Sequence, residues 1–208
     1  MKSNIRAVLL GGMILAAAQA DDVARTLKGI EDRYNNAKTL EVDFTESFKE
    51  RSRTITHTGT LYLRKPQKML WRYTSPAGRL FVLDSKFVYD YTPGDKQVEK
   101  VPFKETDDNR APLAFLLGNL NFHQDFKDQF STAADGTITA LAKSDKFQYT
   151  EVSFLAGPDF AIHKLTVKLQ DGSAIVYQFD GEKKNQPLED SLFRFTAPPG
   201  VQIVEAAK

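Results

Sequence analysis

Three histidines are the side chains of this sequence best suited to metal binding or to acid–base catalysis near neutral pH. His57, His123 and His163 lie far apart along the chain, and none belongs to an HExxH motif or to an i, i+4 pair. A zinc site needs several ligands at a defined spacing, which these histidines do not provide. We interpret them as solvated or strand-face residues, and the sequence predicts no metal site.

Paired carboxylates could support hydrolysis, because two acids in different environments can divide the roles of general acid and general base. Asp84 with Asp90 and Asp107 with Asp108 are such pairs, but neighbours of this kind are common among 27 acidic residues. Asp107 and Asp108 also suit the N-terminus of a helix. The chain contains no GxSxG, GxGxxG or P-loop motif. We therefore predict that the protein is not an enzyme and uses no cofactor.

The composition excludes several other classes of protein. There is no cysteine, so a disulfide framework, a thiolate metal site and a lipid-modified N-terminal cysteine are all impossible. The 28 basic and 27 acidic residues nearly balance, which gives no reason to expect nucleic acid as a partner. The 15 Phe and 7 Tyr favour strands, where flat rings pack well on a pleated surface.

The N-terminus predicts a signal peptide over residues 1–20. Residues 1–6 are basic, residues 7–18 are apolar, and the Ala-Gln-Ala that ends at Ala20 is typical of a cleavage site. The apolar run is short for a membrane span. Residues 21–208 contain no repeat or linker, so we expect them to form a single domain outside the cytoplasm.

Two helices and a series of strands must form the fold. A helical stripe with spacings of 4, 3, 4 and 3 runs through Val23, Leu27, Ile30, Tyr34 and Ala37. From Leu40 onwards the period changes to two, which predicts eight or more antiparallel strands joined by short turns. Residues 111–118 predict a short helix that is apolar nearly all round and is unstable unless it lies on an apolar surface. Such a sheet encloses either a static core or an apolar hollow with a movable cover.

Several segments together resemble one known family. They are residues 40–48 (LEVDFTESF), 59–73 (GTLYLRKPQKMLWRY), 80–98 (LFVLDSKFVYDYTPGDKQV), 111–118 (APLAFLLG) and 192–204 (LFRFTAPPGVQIV). Their order and spacing resemble those of the LolA family of outer-membrane lipoprotein carrier proteins. The resemblance implies a mainly β (α+β) fold, in which an incomplete antiparallel barrel with a helical lid covers an apolar cavity.

The resemblance also implies a function. Members of the family are periplasmic chaperones of lipoprotein localisation, which take acylated lipoproteins from an inner-membrane ABC transporter and deliver them to an outer-membrane acceptor. We expect this protein to act in the same way, as a monomer. The more apolar face of each strand, together with the short helix, predicts which residues line the acyl-chain cavity. They are Phe44, Leu61, Leu63, Trp71, Tyr73, Phe87, Tyr89, Leu113, Leu116 and Leu117.

One position departs from the family pattern. The family usually has Lys-Arg-Pro after the second strand, and its Arg holds the lid; here the order is Arg64-Lys65-Pro66. Lys65 is therefore the candidate lid latch, unless it is simply part of a solvated basic turn.

The alternative function is a lipid- or lipoprotein-sensing regulatory module of the envelope on the same scaffold, and a hydrolase is the third possibility.

Overall fold

The computed structural model describes residues 9–50, 52–103, 120–145 and 147–205. Within them lie two α-helices, α1 (Leu9–Asn36) and α2 (Phe122–Asp125), and a 3₁₀ helix over Asp190–Phe193. The strands are β1 (Thr39–Glu50), β2 (Arg53–Arg64), β3 (Lys68–Ser75), β4 (Leu80–Asp84), β5 (Phe87–Tyr91), β6 (Gln97–Pro102), β7 (Phe126–Thr132), β8 (Ile138–Ala142), β9 (Tyr149–Ala156), β10 (Ile162–Leu169), β11 (Ala174–Lys184) and β12 (Gln202–Glu205).

The twelve described strands form one open sheet in the order β12-β6-β5-β4-β3-β2-β1-β11-β10-β9-β8-β7. Two antiparallel meanders, β1 to β6 and β7 to β11, meet where β1 pairs with β11. β12 is the exception to the antiparallel pattern, because it pairs in parallel with β6. The predicted incomplete antiparallel barrel is confirmed, and β7 and β12 are the outermost of its described strands.

The sheet curls around its main hydrophobic core. Twelve strands at a spacing of about 4.8 Å would span roughly 50 Å if the sheet were flat, far more than one helix about 10 Å across could cover. Yet a single buried cluster joins Leu83 and Val88 on one side with Phe126 and Ile138 on the other. We call the face that carries this cluster the concave face.

The opposite, convex face has a second, smaller core near the β6 edge. Leu70, Val82, Tyr89 and Val98 are buried there against Phe193 of the 3₁₀ helix. The chain after β11 therefore crosses the back of the sheet before it returns to the edge as β12.

Helix α1 covers part of the concave face. The predicted stripe is confirmed, since Leu27, Ile30 and Tyr34 are all buried in the main core. The helix begins at Leu9, well before the predicted stripe, because the Ala- and Leu-rich residues before Ala20 are themselves good helix formers. Cleavage after Ala20 stays a prediction. No helix in the part of the chain that the structure describes has the length and hydropathy needed to cross a membrane.

Candidate functional site

Five of the predicted cavity residues lie together on the concave face. Phe44, Leu61, Leu63, Trp71 and Tyr73 are all at most 4% exposed and belong to the main core. The Phe44 ring meets Trp71 and Tyr73 edge-on, with ring centroids 4.5 and 5.2 Å apart. These aromatic contacts join β1 to β3 across the intervening strand β2.

Gly59 allows the Phe44 ring to reach across β2. The two residues face each other in the β1–β2 register, and a Cβ on Gly59 would lie 2.8 Å from the Phe44 ring and 2.2 Å from the carbonyl oxygen of Arg72. A side chain at this position would push the ring and strand β3 away. The glycine of the GTLYL segment is therefore required by packing on the concave face.

The face predicted for Phe87 and Tyr89 is corrected by the structure. Tyr89 is buried in the convex core, where its ring stacks on Phe195 at 5.2 Å, and Phe87 packs against the same core. Val88 between them is the β5 residue that enters the concave core. Both faces of β5 are apolar, so alternation alone could not choose between them. The other predicted cavity residues, Leu113, Leu116 and Leu117, lie outside the described residues.

A narrow apolar hollow lies beneath α1. It is bounded by the helix and by strands β1, β2, β10 and β11, and it has room for water-sized molecules only. Its lining consists of Tyr34, Leu40, Val42, Leu61, Ile162, Leu165, Phe179 and Glu182. A second narrow hollow shares Tyr34 and Leu40 with it and reaches Lys65 at the end of the helix.

A polar network anchors α1 at the edge of this hollow. Arg33 donates from Nε to Oε1 of Glu182 at 2.8 Å, and the Tyr34 hydroxyl donates to the other oxygen of Glu182 at 2.8 Å. The backbone N–H of Ile162 in turn donates to the Tyr34 hydroxyl at 2.9 Å. Burial disfavours the charge on Arg33, but the hydrogen bond and charge of Glu182 outweigh it and raise the pKa of Arg33. Burial, followed by the Glu182 charge, raises the pKa of Tyr34, so the hydroxyl remains a donor.

Two further contacts fix the same half of α1. The Asn35 side chain makes two hydrogen bonds with the backbone of Leu120, at 2.7 and 2.8 Å. On the other side, the ring of Phe160 lies against Gly29, so that a Cβ on Gly29 would meet its carbons at 2.5 Å. The C-terminal half of α1 is thus held by β11, by the β9–β10 turn and by the chain that leads into α2.

Lys65 caps the end of α1. Its Nζ donates to the backbone carbonyls of Tyr34 at 2.8 Å and of Asn35 at 3.1 Å, which are among the carbonyls left free at a helix C-terminus. Partial burial lowers the pKa of the Lys65 amine. Lys65 is therefore not merely part of a solvated turn, although its partner among the described residues is α1. Its role as a lid latch stays a prediction.

The β2–β3 turn that carries Lys65 is also held from the convex side. Asp190 of the 3₁₀ helix forms ion pairs with Arg64 at 2.8 Å and with Lys68 at 2.6 Å. The Arg64 guanidinium also donates to the carbonyl of Leu188 at 2.9 Å. The segment after β11 therefore braces the turn from behind while Lys65 reaches α1 in front.

Sequence reasoning missed a polar group within the concave face. Glu46 is 6% exposed and shares its face of β1 with Val42 and Phe44. Its Oε2 lies 3.2 Å from Nδ1 of His57 and accepts from the Tyr73 hydroxyl at 3.4 Å. The signal was present in the sequence, because an acid interrupts an otherwise apolar alternation. Among the residues that the structure describes, no three His, Asp or Glu side chains are grouped so as to hold a metal ion.

Comparison with known proteins identifies the protein family. The sequence model of the outer membrane lipoprotein carrier protein LolA matches residues 35–196. The chain belongs to the LolA family. It is 26% identical to the outer-membrane lipoprotein carrier protein of Cupriavidus taiwanensis, over 99% of this chain and 100% of that one. The carrier protein of Pseudoalteromonas translucida is 24% identical, with 97% and 96% of the two chains covered.

A solved structure shows the same fold. The crystal structure of a DUF1329 family protein from Desulfovibrio piger has a TM-score of 0.50 at 11% identity, over 83% of this chain and 97% of that one. Family membership confirms that the protein is periplasmic and is a non-enzymatic carrier of the lipoprotein-binding type.

Proposed function

We propose that this protein binds the acyl chains of lipoproteins released by an inner-membrane ABC transporter and delivers the lipoproteins to an acceptor at the outer membrane. The observation that carries the proposal is the curled sheet, whose concave face is mainly apolar from β1 to β5, apart from the group around Glu46, and continues into the hollow under α1. We further propose that the working form is the single domain after Ala20, acting as a monomer.

Transfer energies explain why such a carrier needs an apolar interior. Each buried CH₂ is worth about 0.8 kcal/mol, so two or three long acyl chains lose roughly 25–40 kcal/mol when they leave a membrane for water. Diffusion cannot supply that energy. A protein surface that replaces most of the membrane contact makes the crossing possible, provided that it also releases the chains at the far side.

The hollow is nearly filled by its own lining in this form and admits only water-sized molecules. Several acyl chains need more room, so the space must be enlarged when cargo binds. Because the C-terminal half of α1 is anchored at three places, we propose that it acts as a fixed wall.

The end of the sheet away from this part of α1 offers the more yielding surface. Phe48 near the end of β1 pairs with Ile55 of β2 and with Ile175 of β11, and all three side chains are only half-buried. Half-buried apolar side chains at the rim of an apolar face can exchange their contacts for an acyl chain at little cost. We call these three residues the distal rim and propose that acyl chains enter there.

Two neighbouring residues of β11 test the proposal. Ile175 packs against the concave core, whereas Val176 is equally half-buried but faces Thr166 and Ser47 on the convex side. Ile175→Glu should abolish acyl-chain binding, because a carboxylate at the distal rim repels hydrocarbon, and Val176→Glu should leave binding intact.

The assay is ATP-dependent release of lipoprotein from inner-membrane vesicles that contain the transporter. The mature protein should recover a soluble complex with the lipoprotein and then transfer it to outer membranes. The proposal fails if the wild-type protein accepts no lipoprotein, or if the two glutamate variants lose acceptance equally while both remain folded.

A further inference from the structure

Glu46 has neighbours that form a polar row across the concave face. The polar row consists of Glu46 on β1, His57 on β2, Tyr73 on β3 and Arg79 just before β4. Glu46 and His57 face each other in the β1–β2 register, and the Tyr73 hydroxyl points at Oε2 of Glu46 from 3.4 Å. The Arg79 guanidinium carbon lies 4.9 Å from the centroid of the Tyr73 ring. Four adjacent strands or strand ends thus contribute one polar group each.

The row has hydrogen-bonding capacity that its own members do not use. Both described contacts of the Glu46 carboxylate end on Oε2, so Oε1 can accept a further donor. The Nε of Arg79 is buried and has no hydrogen-bond partner among the described residues, since the ion pair with Asp90 at 3.4 Å uses Nη2. Glu46 thus keeps one carboxylate oxygen that neither of these contacts uses, and Arg79 keeps one buried donor without a partner among the described residues.

Such groups are costly inside an apolar surface. A buried carboxylate loses its hydration, and a buried donor without a partner costs about 1–3 kcal/mol. A purely structural role would favour apolar side chains here, as on the neighbouring positions of the same face. Tyr73 also contacts Phe44 at 5.2 Å, so the polar row borders directly on the apolar part of the concave face.

We propose that the polar row binds the linkage groups of acylated cargo, the ester and amide bonds that join acyl chains to a headgroup, with the chains lying on the apolar side toward α1. The inference rests on the proposed carrier function. An amide supplies both a carbonyl for Arg79 and an N–H for Glu46. A free ammonium would leave Arg79 without a partner, and a fatty-acid carboxylate would be repelled by Glu46. The chemistry left open in the row therefore favours a neutral, amide-containing linkage.

Binding can be read from the fluorescence of Trp71, which is the only tryptophan and lies in the same aromatic cluster. Three probes separate the contributions of the amide linkage, the ester linkages and the apolar contacts to binding. A synthetic triacylated cysteinyl lipopeptide carries ester and amide linkages, tripalmitoylglycerol carries esters only and no hydrogen-bond donor, and N-phenyl-1-naphthylamine is an apolar fluorophore with no acyl linkage. The variants are Glu46→Leu and Arg79→Met. The matched control is Arg72→Met, because Arg72 stacks on the Tyr62 ring at 5.3 Å on the convex face.

Arg79→Met should weaken binding of the lipopeptide and of tripalmitoylglycerol about tenfold, the effect of one hydrogen bond to a charged group. Glu46→Leu should weaken binding of the lipopeptide by a similar factor and leave binding of tripalmitoylglycerol unchanged, because only the lipopeptide has an N–H to donate. The naphthylamine and the Arg72→Met control should show no change. If Glu46→Leu does not fold, as judged by its thermal transition, Arg79→Met alone decides the test.

Unchanged lipopeptide binding by the folded variants would overturn the proposal and leave the carrier function standing. Equal weakening of all three probes would also overturn it, since the row would then only support the fold. If the wild-type protein binds none of the probes, the carrier function itself fails.

Discussion

A disulfide between α1 and the β9–β10 turn would show whether this part of α1 is a fixed wall. The chain has no cysteine, so a pair introduced at Gly29 and Phe160 can form only one intramolecular bond. The built Cβ of Gly29 lies 2.5 Å from Cγ of Phe160, and Cβ of Phe160 is one bond of about 1.5 Å beyond, so the two Cβ atoms are at most about 4.0 Å apart. Disulfides join Cβ atoms at about 3.5–4.5 Å.

The expected stabilisation follows from the loop that the bond closes. A cross-link across about 130 residues removes chain entropy from the unfolded state worth roughly 5 kcal/mol, which for a domain of this size corresponds to about 10–20 °C in Tm. In the reduced form, loss of the Phe160 ring costs at most about 3 kcal/mol, because the ring is only partly buried. The stabilisation is therefore measured as the difference in Tm between the oxidised and reduced forms of the same double-cysteine variant. The control that cannot form the bond is Gly29→Ser with Phe160→Ser.

The functional result decides the question. If the C-terminal half of α1 stays in place during loading, the oxidised protein should bind acyl chains and accept lipoprotein as well as the reduced one does. Loss of acceptance on oxidation, with recovery after a reductant is added, would refute the reasoning, because it would show that α1 has to leave the β9–β10 turn before cargo can enter.

Other predictions concern the braced turn and the concave face. Lys65→Met should lower the free energy of unfolding in urea by about 1–2 kcal/mol, and Lys65→Arg should recover most of it, because Arg again offers donors to the helix end. Asp190 has its pKa lowered first by Lys68, so its stabilising effect is present at neutral pH and is lost as the pH falls through the folded pKa. The difference in unfolding free energy between wild type and Asp190→Asn should therefore stay constant above the ordinary pKa of Asp, about 3.9, and shrink as the pH falls below it. Gly59→Ala should cost about 1–3 kcal/mol and shift the emission of the single tryptophan, because its Cβ would clash with the facing strand and with Phe44; a neutral result would contradict the packing described for this glycine.

Sequence reasoning succeeded where one period matched one buried face. The α1 stripe at Leu27, Ile30 and Tyr34 and the alternation at Leu61 and Leu63 both point to the core, because the opposite side of each element is polar. These elements could be assigned from the chain alone.

It failed where both faces of a strand are buried. In β5 the residues Phe87, Val88 and Tyr89 are all apolar. Which of them lie on the concave face depends on the segment after β11 that covers the convex face. That contact joins parts of the chain about 100 residues apart, and no local pattern reveals it. Lys65 is similar, because the family pattern marks it as the candidate lid latch, whereas its contact with the C-terminal carbonyls of α1 depends on the tertiary structure.

The distribution of polar and apolar contacts explains how one small domain can hold cargo firmly and still release it. The bonds that fix α1 involve Arg33, Glu182 and Lys65 at the edges of the hollow, and none of them requires the space to be filled. The contacts on the concave face, in contrast, are almost all apolar and therefore without direction, so an acyl chain can replace them one for one. A carrier held together only by its apolar face would lose its structure whenever that face was exchanged. Because its anchors are polar and peripheral, we expect this protein to exchange the contents of the hollow while the wall above them stays in place.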